Sequence, residues 1–313
     1  MMTRNSVMTD ETQVVCPCCG ELAPVLLGTL QDATQFAGMH TATVLRGGKL
    51  YRCATCHLKF RFPIEDSNTY NKLYDHGDAS NWTGDVPRLD WDLIVQYLGD
   101  AGSDRPDVLD FGCNTGELLG RLGSGYRKFG IEINQAAADT AVNEYGVQVW
   151  SSIEVMPADK RFDVIVAVDV VEHMPDPELL IRQLVSRLAV GGRLILTTGD
   201  ADNRWWNRFG ANWWYCFHPE HIAFVSRPWL DYVTQRSKLS VIECKRFRYR
   251  KLGVLARGIH ALFMIFYGVL PSIYLSLRNT GRRLLSRPDV SSVLGNGVSA
   301  DHLFIVLSSK IET

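Results

Sequence analysis

The run Val108-Leu109-Asp110-Phe111-Gly112-Cys113-Asn114-Thr115-Gly116 constrains the fold more than any other stretch. An apolar strand breaks into a glycine-rich turn that opens a helix. Glu132 follows 22 residues after Asp110, at the end of a second strand-like run, Phe129-Gly130-Ile131. Glycines let the backbone approach a ligand, and a carboxylate at that distance can accept both hydroxyls of a ribose. GxGxxG and a P-loop lysine are both missing, and the loop begins with an acid. Such an acid repels a pyrophosphate and suits a cationic, amino-acid-bearing ligand.

Three more segments follow in order. Phe162 to Val168 is an apolar strand leading into Asp169-Val170-Val171-Glu172-His173-Met174-Pro175-Asp176-Pro177; Gly191 to Thr198 is another strand; Arg208-Phe209-Gly210 to Phe224 follows it. Together with the glycine turn, over roughly residues 105 to 240, these resemble the class I S-adenosylmethionine (SAM)-dependent methyltransferases. The resemblance implies an α/β fold with a Rossmann-like, mostly parallel sheet and a terminal antiparallel hairpin. It implies SAM as cofactor, with Asp110, Gly112, Asn114 and Gly116 lining its methionine end, Glu132 on the ribose and Asp169 near the transferred methyl. Asn114 stands where the family usually has Gly, but Asn also tolerates a left-handed backbone. Trp150-Ser151-Ser152 replaces the acid that many relatives direct at the adenine, so backbone or serine contacts are expected there.

Cys16-Pro17-Cys18-Cys19 and Cys53-Ala54-Thr55-Cys56 form two C-x-x-C knuckles 33 residues apart. Each can offer two thiolates to one tetrahedral Zn²⁺, so Cys16, Cys19, Cys53 and Cys56 predict a zinc ribbon. Leu22 to Leu30 and Lys49 to Arg52 are expected as its strands, with Cys18 a spare residue and His57 an alternative ligand. Four protein ligands close the coordination sphere, which makes the metal structural. By resemblance, such a ribbon helps shape the substrate side in some sugar and small-molecule methyltransferases.

His218-Pro219-Glu220-His221 is the candidate for proton transfer, since an imidazole can take a proton from a hydroxyl. Sugar C-methyltransferases carry Tyr-x-Glu-His here; Glu220 and His221 match, but His218 stands in place of the Tyr. The Pro-Glu-His form of many O-methyltransferases fits better. Just upstream, Trp205, Trp206, Trp213, Trp214, Tyr215 and Phe217 crowd into thirteen residues. They read equally as lid packing or as a platform for a sugar or ring system.

From Lys245 to Arg287 there are ten Lys/Arg and no acid; the chain totals −1, so the remainder carries −11. Within this stretch residues 258–277 lack charge and are long enough to span a bilayer. A crossing would separate a pair of strands that belong to one sheet, Val241 to Tyr249 and His302 to Leu307, and Pro271 interrupts the helix. Basic flanks on both sides instead favour a peripheral element on an anionic membrane surface, with self-association as a homodimer or an RNA-binding face as alternatives. The −11 remainder argues against nucleic acid.

Residues 1–13 are polar with no apolar core, so they are expected to be disordered rather than a secretory signal. Eight cysteines without a signal favour metal binding and a cytoplasmic setting, peripheral on the inner face of the membrane if the apolar segment meets lipid. The expected organisation is a ribbon over 14–62, a linker and helix over 63–104, and the methyltransferase domain over 105–313 with a helical insertion at 245–297. The predicted activity is methyl transfer to a hydroxyl of a sugar, glycan or ring-bearing small molecule, which can be lipid-linked. Sugar C-methylation, RNA methylation and a non-catalytic SAM-binding assembly module are the alternatives.

Overall fold

A computed structural model describes residues 13–37, 39–75, 88–102, 104–249, 252–270, 273, 274, 276, 277 and 299–309. The disordered segment expected at the N-terminus lies almost entirely outside these residues, as does most of the basic stretch after residue 277.

Thirteen described strands run in chain order: β1 (Val25–Thr29), β2 (Ala33–Phe36), β3 (Met39–Leu45), β4 (Lys49–Arg52), β5 (Lys59–Phe62), β6 (Asp107–Phe111), β7 (Arg127–Ile131), β8 (Gln148–Trp150), β9 (Phe162–Val168), β10 (Leu188–Gly199), β11 (Ala223–Phe224), β12 (Leu239–Phe247) and β13 (His302–Ser309). Seven of them form one sheet ordered β12-β13-β10-β9-β6-β7-β8. The β8-β7-β6-β9-β10 portion is parallel. β13 inserts antiparallel between β10 and β12, closing the expected terminal hairpin.

Helices cover both faces, so successive residues of the central strands enter opposite cores. Leu109 and Ile165 pack on one side with Leu180, Ile181 and Trp229. Val108, Val164 and Val166 pack on the other with Ile94 and Leu118. Strands buried on both faces read as unbroken apolar runs, which is why Val164 to Val168 shows no alternation. Local chemistry sets the helix starts. Asn134 Oδ1 accepts from the Ala137 amide at 3.0 Å before the helix Gln135–Tyr145, and Asp176 Oδ1 from the Leu179 amide at 3.0 Å before Pro177–Val185.

The N-terminal lobe differs from expectation in two ways. Its sheet β1-β4-β5 gains a fourth strand, β11, from beyond residue 105. The stretch 63–104, read as a linker and one helix, contains two among the described residues, Ser67–Asp75 as well as Leu89–Leu98. Asp66 starts the first by accepting from the Thr69 amide at 3.1 Å, and Tyr70, Leu73 and Tyr74 pack on Phe36 and Leu45 of a β2–β3 hairpin.

Candidate active site

The carboxyl ends of β6, β7 and β9 carry the predicted cofactor residues. After β6 the chain turns through Gly112 (φ 80°), Asn114 (φ 47°) and Gly116 (φ 82°). Asn114 therefore holds the left-handed conformation expected of it. A Cβ on Gly116 would sit 2.9 Å from Ala141 Cβ, so only glycine lets the turn lie on the helix Gln135–Tyr145. Glu132 pins the turn, accepting from the amides of Asn114 at 2.9 Å and Asn134 at 2.8 Å.

Asp110 is buried, and its Oδ1 has no hydrogen-bond partner among the described residues. Burial pushes its carboxyl up to about 7, with the nearby Glu132 charge adding to the effect. A buried carboxylate oxygen that lacks a donor fits the ammonium of an amino-acid-bearing cofactor. Asp169 ends β9 with φ 52°; Arg88 Nη2 donates to its Oδ2 at 2.8 Å and the Tyr249 hydroxyl at 3.3 Å. Arg88 in turn grips Asp90 through Nε at 3.0 Å. Burial raises Asp169 above the ordinary carboxylate range, and Arg88 opposes that rise.

Three residues on, Glu172 is fully buried. Tyr215 donates its hydroxyl to Oε1, and Thr198 donates to Oε2 at 2.9 Å. Its main-chain carbonyl accepts the Ile222 amide at 2.8 Å, which hangs the His218–His221 loop beside the end of β9. The three predicted residues are brought together there. His218 Nδ1 lies 3.4 Å from Glu220 Oε1, and the His218 and His221 rings are 4.8 Å apart. His173 adds a third ring, 5.1 Å from His221, with its Nδ1 2.9 Å from the Tyr74 hydroxyl.

Environment separates the roles these groups can take. His221 Nδ1 lies 2.9 Å from the Tyr215 carbonyl, which fixes the tautomer with the proton on Nδ1. Burial, reinforced by His218 and His173, holds His221 well below the ordinary histidine value. Burial likewise lowers His173 to about 4. Glu220 is held below the ordinary carboxylate range: burial, the largest single influence, would raise it, but the hydrogen bond and electrostatic pull of His218, with smaller contributions from the main chain and His173, together outweigh it. A partly exposed imidazole against an ionised carboxylate is the pair suited to accept a proton.

Glu172, His173 and His221 also place ligand atoms within 4.8 Å of one another. Both Glu172 oxygens are already bonded, however. Among the described residues, the four predicted thiols form the other such group. Cys16 and Cys56 Sγ are 3.5 Å apart, and Cys19 and Cys53 Sγ 3.4 Å. Zn–S bonds of about 2.3 Å in a tetrahedron require sulfurs roughly 3.8 Å apart, so the cluster fits that metal. Cys18, beside Cys56, donates to Glu178 Oε2 at 3.2 Å, which ties the ribbon to the helix Pro177–Val185.

The aromatic run is packing rather than a platform. Trp206, Trp213, Trp214, Tyr215 and Phe217 are buried in one cluster with Leu30 and Leu50 of the N-terminal lobe and Met264 and Tyr267 of the helix Val254–Val269. Arg88, Tyr249 and His302 are site residues that sequence reasoning missed. His302 stacks on Tyr249 at 4.6 Å and pairs with Asp301, in a polar layer that only the folded sheet assembles.

A family model described as a methyltransferase domain matches residues 85–243, just over half of the chain, and takes in the glycine turn, Asp169, Glu172 and the histidine loop. The chain belongs to the class I SAM-dependent methyltransferase family. Ubiquinone biosynthesis O-methyltransferase of Coxiella burnetii is similar, 31% identical over 99 residues that cover 29% of this chain and 42% of the relative. Its counterpart from Azorhizobium caulinodans is 34% identical over 122 residues, covering 34% and 47%. The chain thus spans less than half the length of these curated relatives. Similar solved structures include a SAM-dependent methyltransferase from Clostridium acetobutylicum, with TM-score 0.45, 11% identity and coverage of 77% of this chain and 98% of that one. Another is magnesium protoporphyrin IX methyltransferase from Synechocystis, with TM-score 0.46, 16% identity and coverage of 59% and 94%.

Proposed function

We propose that this methyltransferase moves the methyl of SAM to a hydroxyl of a ring-bearing small molecule or sugar, with His218 as the general base. The observation that carries this reading is the His218–Glu220–His221 constellation at the carboxyl end of the parallel sheet. When bound, SAM supplies a methyl already activated as a sulfonium. Asp110 takes its ammonium, Glu132 its ribose, and Gly112, Asn114 and Gly116 let the backbone lie against it. What remains for the protein is to align the hydroxyl and receive its proton. His218 accepts it, the ionised Glu220 stabilises the imidazolium that results, and His221, too strongly buried to be a good base, orients the loop as a neutral ring. The O-methyltransferase names of the curated relatives support oxygen over carbon as the acceptor atom.

The test is His218→Ala and His221→Ala across a pH series. Loss of the base should lower turnover by about 10²–10⁴-fold, with SAM affinity unchanged by calorimetry. Full activity in His218→Ala would contradict the assignment.

The four thiols hold structural zinc in this reading. The acceptor reaches the site from an anionic membrane surface. The helix Val254–Val269 supports that placement, because Leu255 (79% exposed), Ile259, Leu262 (68%), Ile265 and Val269 line one side of it. Exposed Arg246 and Arg248 precede it. Among the described residues no helix is long and apolar enough to cross a membrane.

A further inference from the structure

The histidine loop and the N-terminal lobe share one strand ladder. β11 begins two residues after His221 and pairs antiparallel with β5, Ala223 opposite Phe60 and Phe224 opposite Lys59. The Arg61 amide donates to the Ile222 carbonyl at 2.8 Å. From the same strand the Arg61 side chain, 4% exposed, enters the protein and binds four main-chain carbonyls. Nε donates to His221 O at 3.1 Å, Nη2 to Cys216 O at 2.9 Å and His218 O at 3.1 Å, and Nη1 to Gly47 O at 2.6 Å.

Three of those acceptors belong to the loop that carries both candidate imidazoles. The fourth belongs to the turn joining β3 and β4. A guanidinium holds its donors in a rigid planar fork, so bonding all four carbonyls at once fixes the loop relative to the lobe. Burying a cation is costly, and here carbonyl dipoles satisfy it rather than a carboxylate. Such a cation is retained for placement more readily than for stability. Lys59, two residues earlier on the same face of β5, donates to the Ala201 carbonyl and to Asn207 Oδ1 at 3.0 Å.

The thiol cluster sets where this strand lies. β4 leads into Cys53, the Cys53 amide donates to Leu58 O at 2.9 Å across the knuckle, and β5 follows at once, with Arg52 opposite Lys59. The knuckle therefore fixes the register in which Arg61 meets the loop.

We infer that Arg61 is the positioning residue of the histidine loop, and that the metal site of Cys16, Cys19, Cys53 and Cys56 governs methyl transfer through it without touching the acceptor. This rests on the reading in which His218 takes the proton.

The experiment compares wild type, Arg61→Gln, Arg61→Lys and chelator-stripped wild type. Hydrogen exchange is followed over residues 214–224, zinc by elemental analysis, SAM affinity by calorimetry, and label transfer from methyl-labelled SAM into an extract of the source cells across a pH series. In Arg61→Gln, zinc and SAM affinity should persist, exchange at 216–222 should quicken, and transfer should fall about 10²-fold, the scale of a base displaced by an ångström. Its pH profile should lose the limb that belongs to the histidine. Arg61→Lys keeps the charge but not the fork, so it should recover only a fraction of the rate; it decides the matter if Arg61→Gln does not fold. Stripping the metal should quicken exchange at 216–222 while β6 and β7 stay protected.

Unchanged exchange at 216–222 in both Arg61 variants, or after metal removal, would overturn the inference. If His218→Ala keeps full activity while Arg61→Gln loosens the loop, the base assignment fails and the positioning role stands. The converse pattern, an inactive His218→Ala beside an unaltered Arg61→Gln, separates the two the other way.

Discussion

Glu172 and Tyr215 are hydrogen-bonded across the floor of the site: the phenol donates to Oε1 and in return accepts the Gly199 amide at 3.0 Å. Both side chains are buried, and they join the end of β9 to the aromatic cluster. Tyr215→Phe removes one donor from the carboxyl group and leaves the Gly199 amide unpaired. A buried group left without its partner costs about 1–3 kcal/mol. Urea unfolding should show that loss, and an unchanged midpoint would mean the network is not coupled to stability.

The same carboxyl group gives a pH signature. Glu172 is raised to about 8 by burial, helped by the Asp169 charge, and Asp110 to about 7 by burial, helped by Glu132. The folded state thus keeps protons that the unfolded state releases, so these groups stabilise most at low pH and lose that contribution as pH rises through their folded values. His173 and His221 are lowered by burial and act in the opposite sense, but only below the ordinary histidine range. Between about pH 6.5 and 8 the carboxyl groups, joined by His302, whose pairing with Asp301 raises it despite burial, decide the sign. Calorimetry of the protein without ligand should show Tm falling across that window, and Glu172→Gln should flatten the slope. A rising Tm would contradict the assignment.

Gly116→Val would put a Cβ within 2.9 Å of Ala141 Cβ at a φ of 82°. Left-handed strain for a β-branched residue costs about 1–3 kcal/mol, before any clash is counted. Weaker SAM binding together with a lower Tm is expected; full affinity would show that the turn does not depend on this glycine.

The features read most directly from sequence are those whose chemistry is local. The glycine turn and the two thiol pairs each declare themselves within a few residues. Arg61 did not. In Lys59-Phe60-Arg61-Phe62 the alternation reads as a half-exposed strand with its charges in water. The structure buries Lys59, Phe60 and Arg61 alike, because β11, some 160 residues on, covers β5. The tryptophans were ambiguous for the same reason: their partners Leu30, Leu50, Met264 and Tyr267 come from both ends of the chain. The helix Ser67–Asp75 was missed because its few apolar residues acquire meaning only against Phe36.

The metal assignment predicts one zinc per chain by elemental analysis. Cys53→Ser should lower that content and reduce Tm, since Cys53 is fully buried beside the main core. Wild-type protein purified without zinc, yet equally stable, would contradict a structural metal.

Exposed apolar residues on the helix Val254–Val269 give a separate test. Leu255→Glu with Leu262→Glu should abolish co-sedimentation with anionic vesicles while leaving SAM affinity intact. Retention of the double variant on vesicles would remove the membrane placement, and loss of a dimer in light scattering would assign the face to self-association.

The most direct test of the central claim is to incubate the protein with methyl-labelled SAM and an extract of its source cells, then separate lipid, small-molecule, polysaccharide and RNA fractions. A His218→Ala control runs alongside. Label in an alkali-stable ether of a lipid or small molecule, lost with His218→Ala, is the predicted result. Label in RNA, or label undiminished by the substitution, would contradict it.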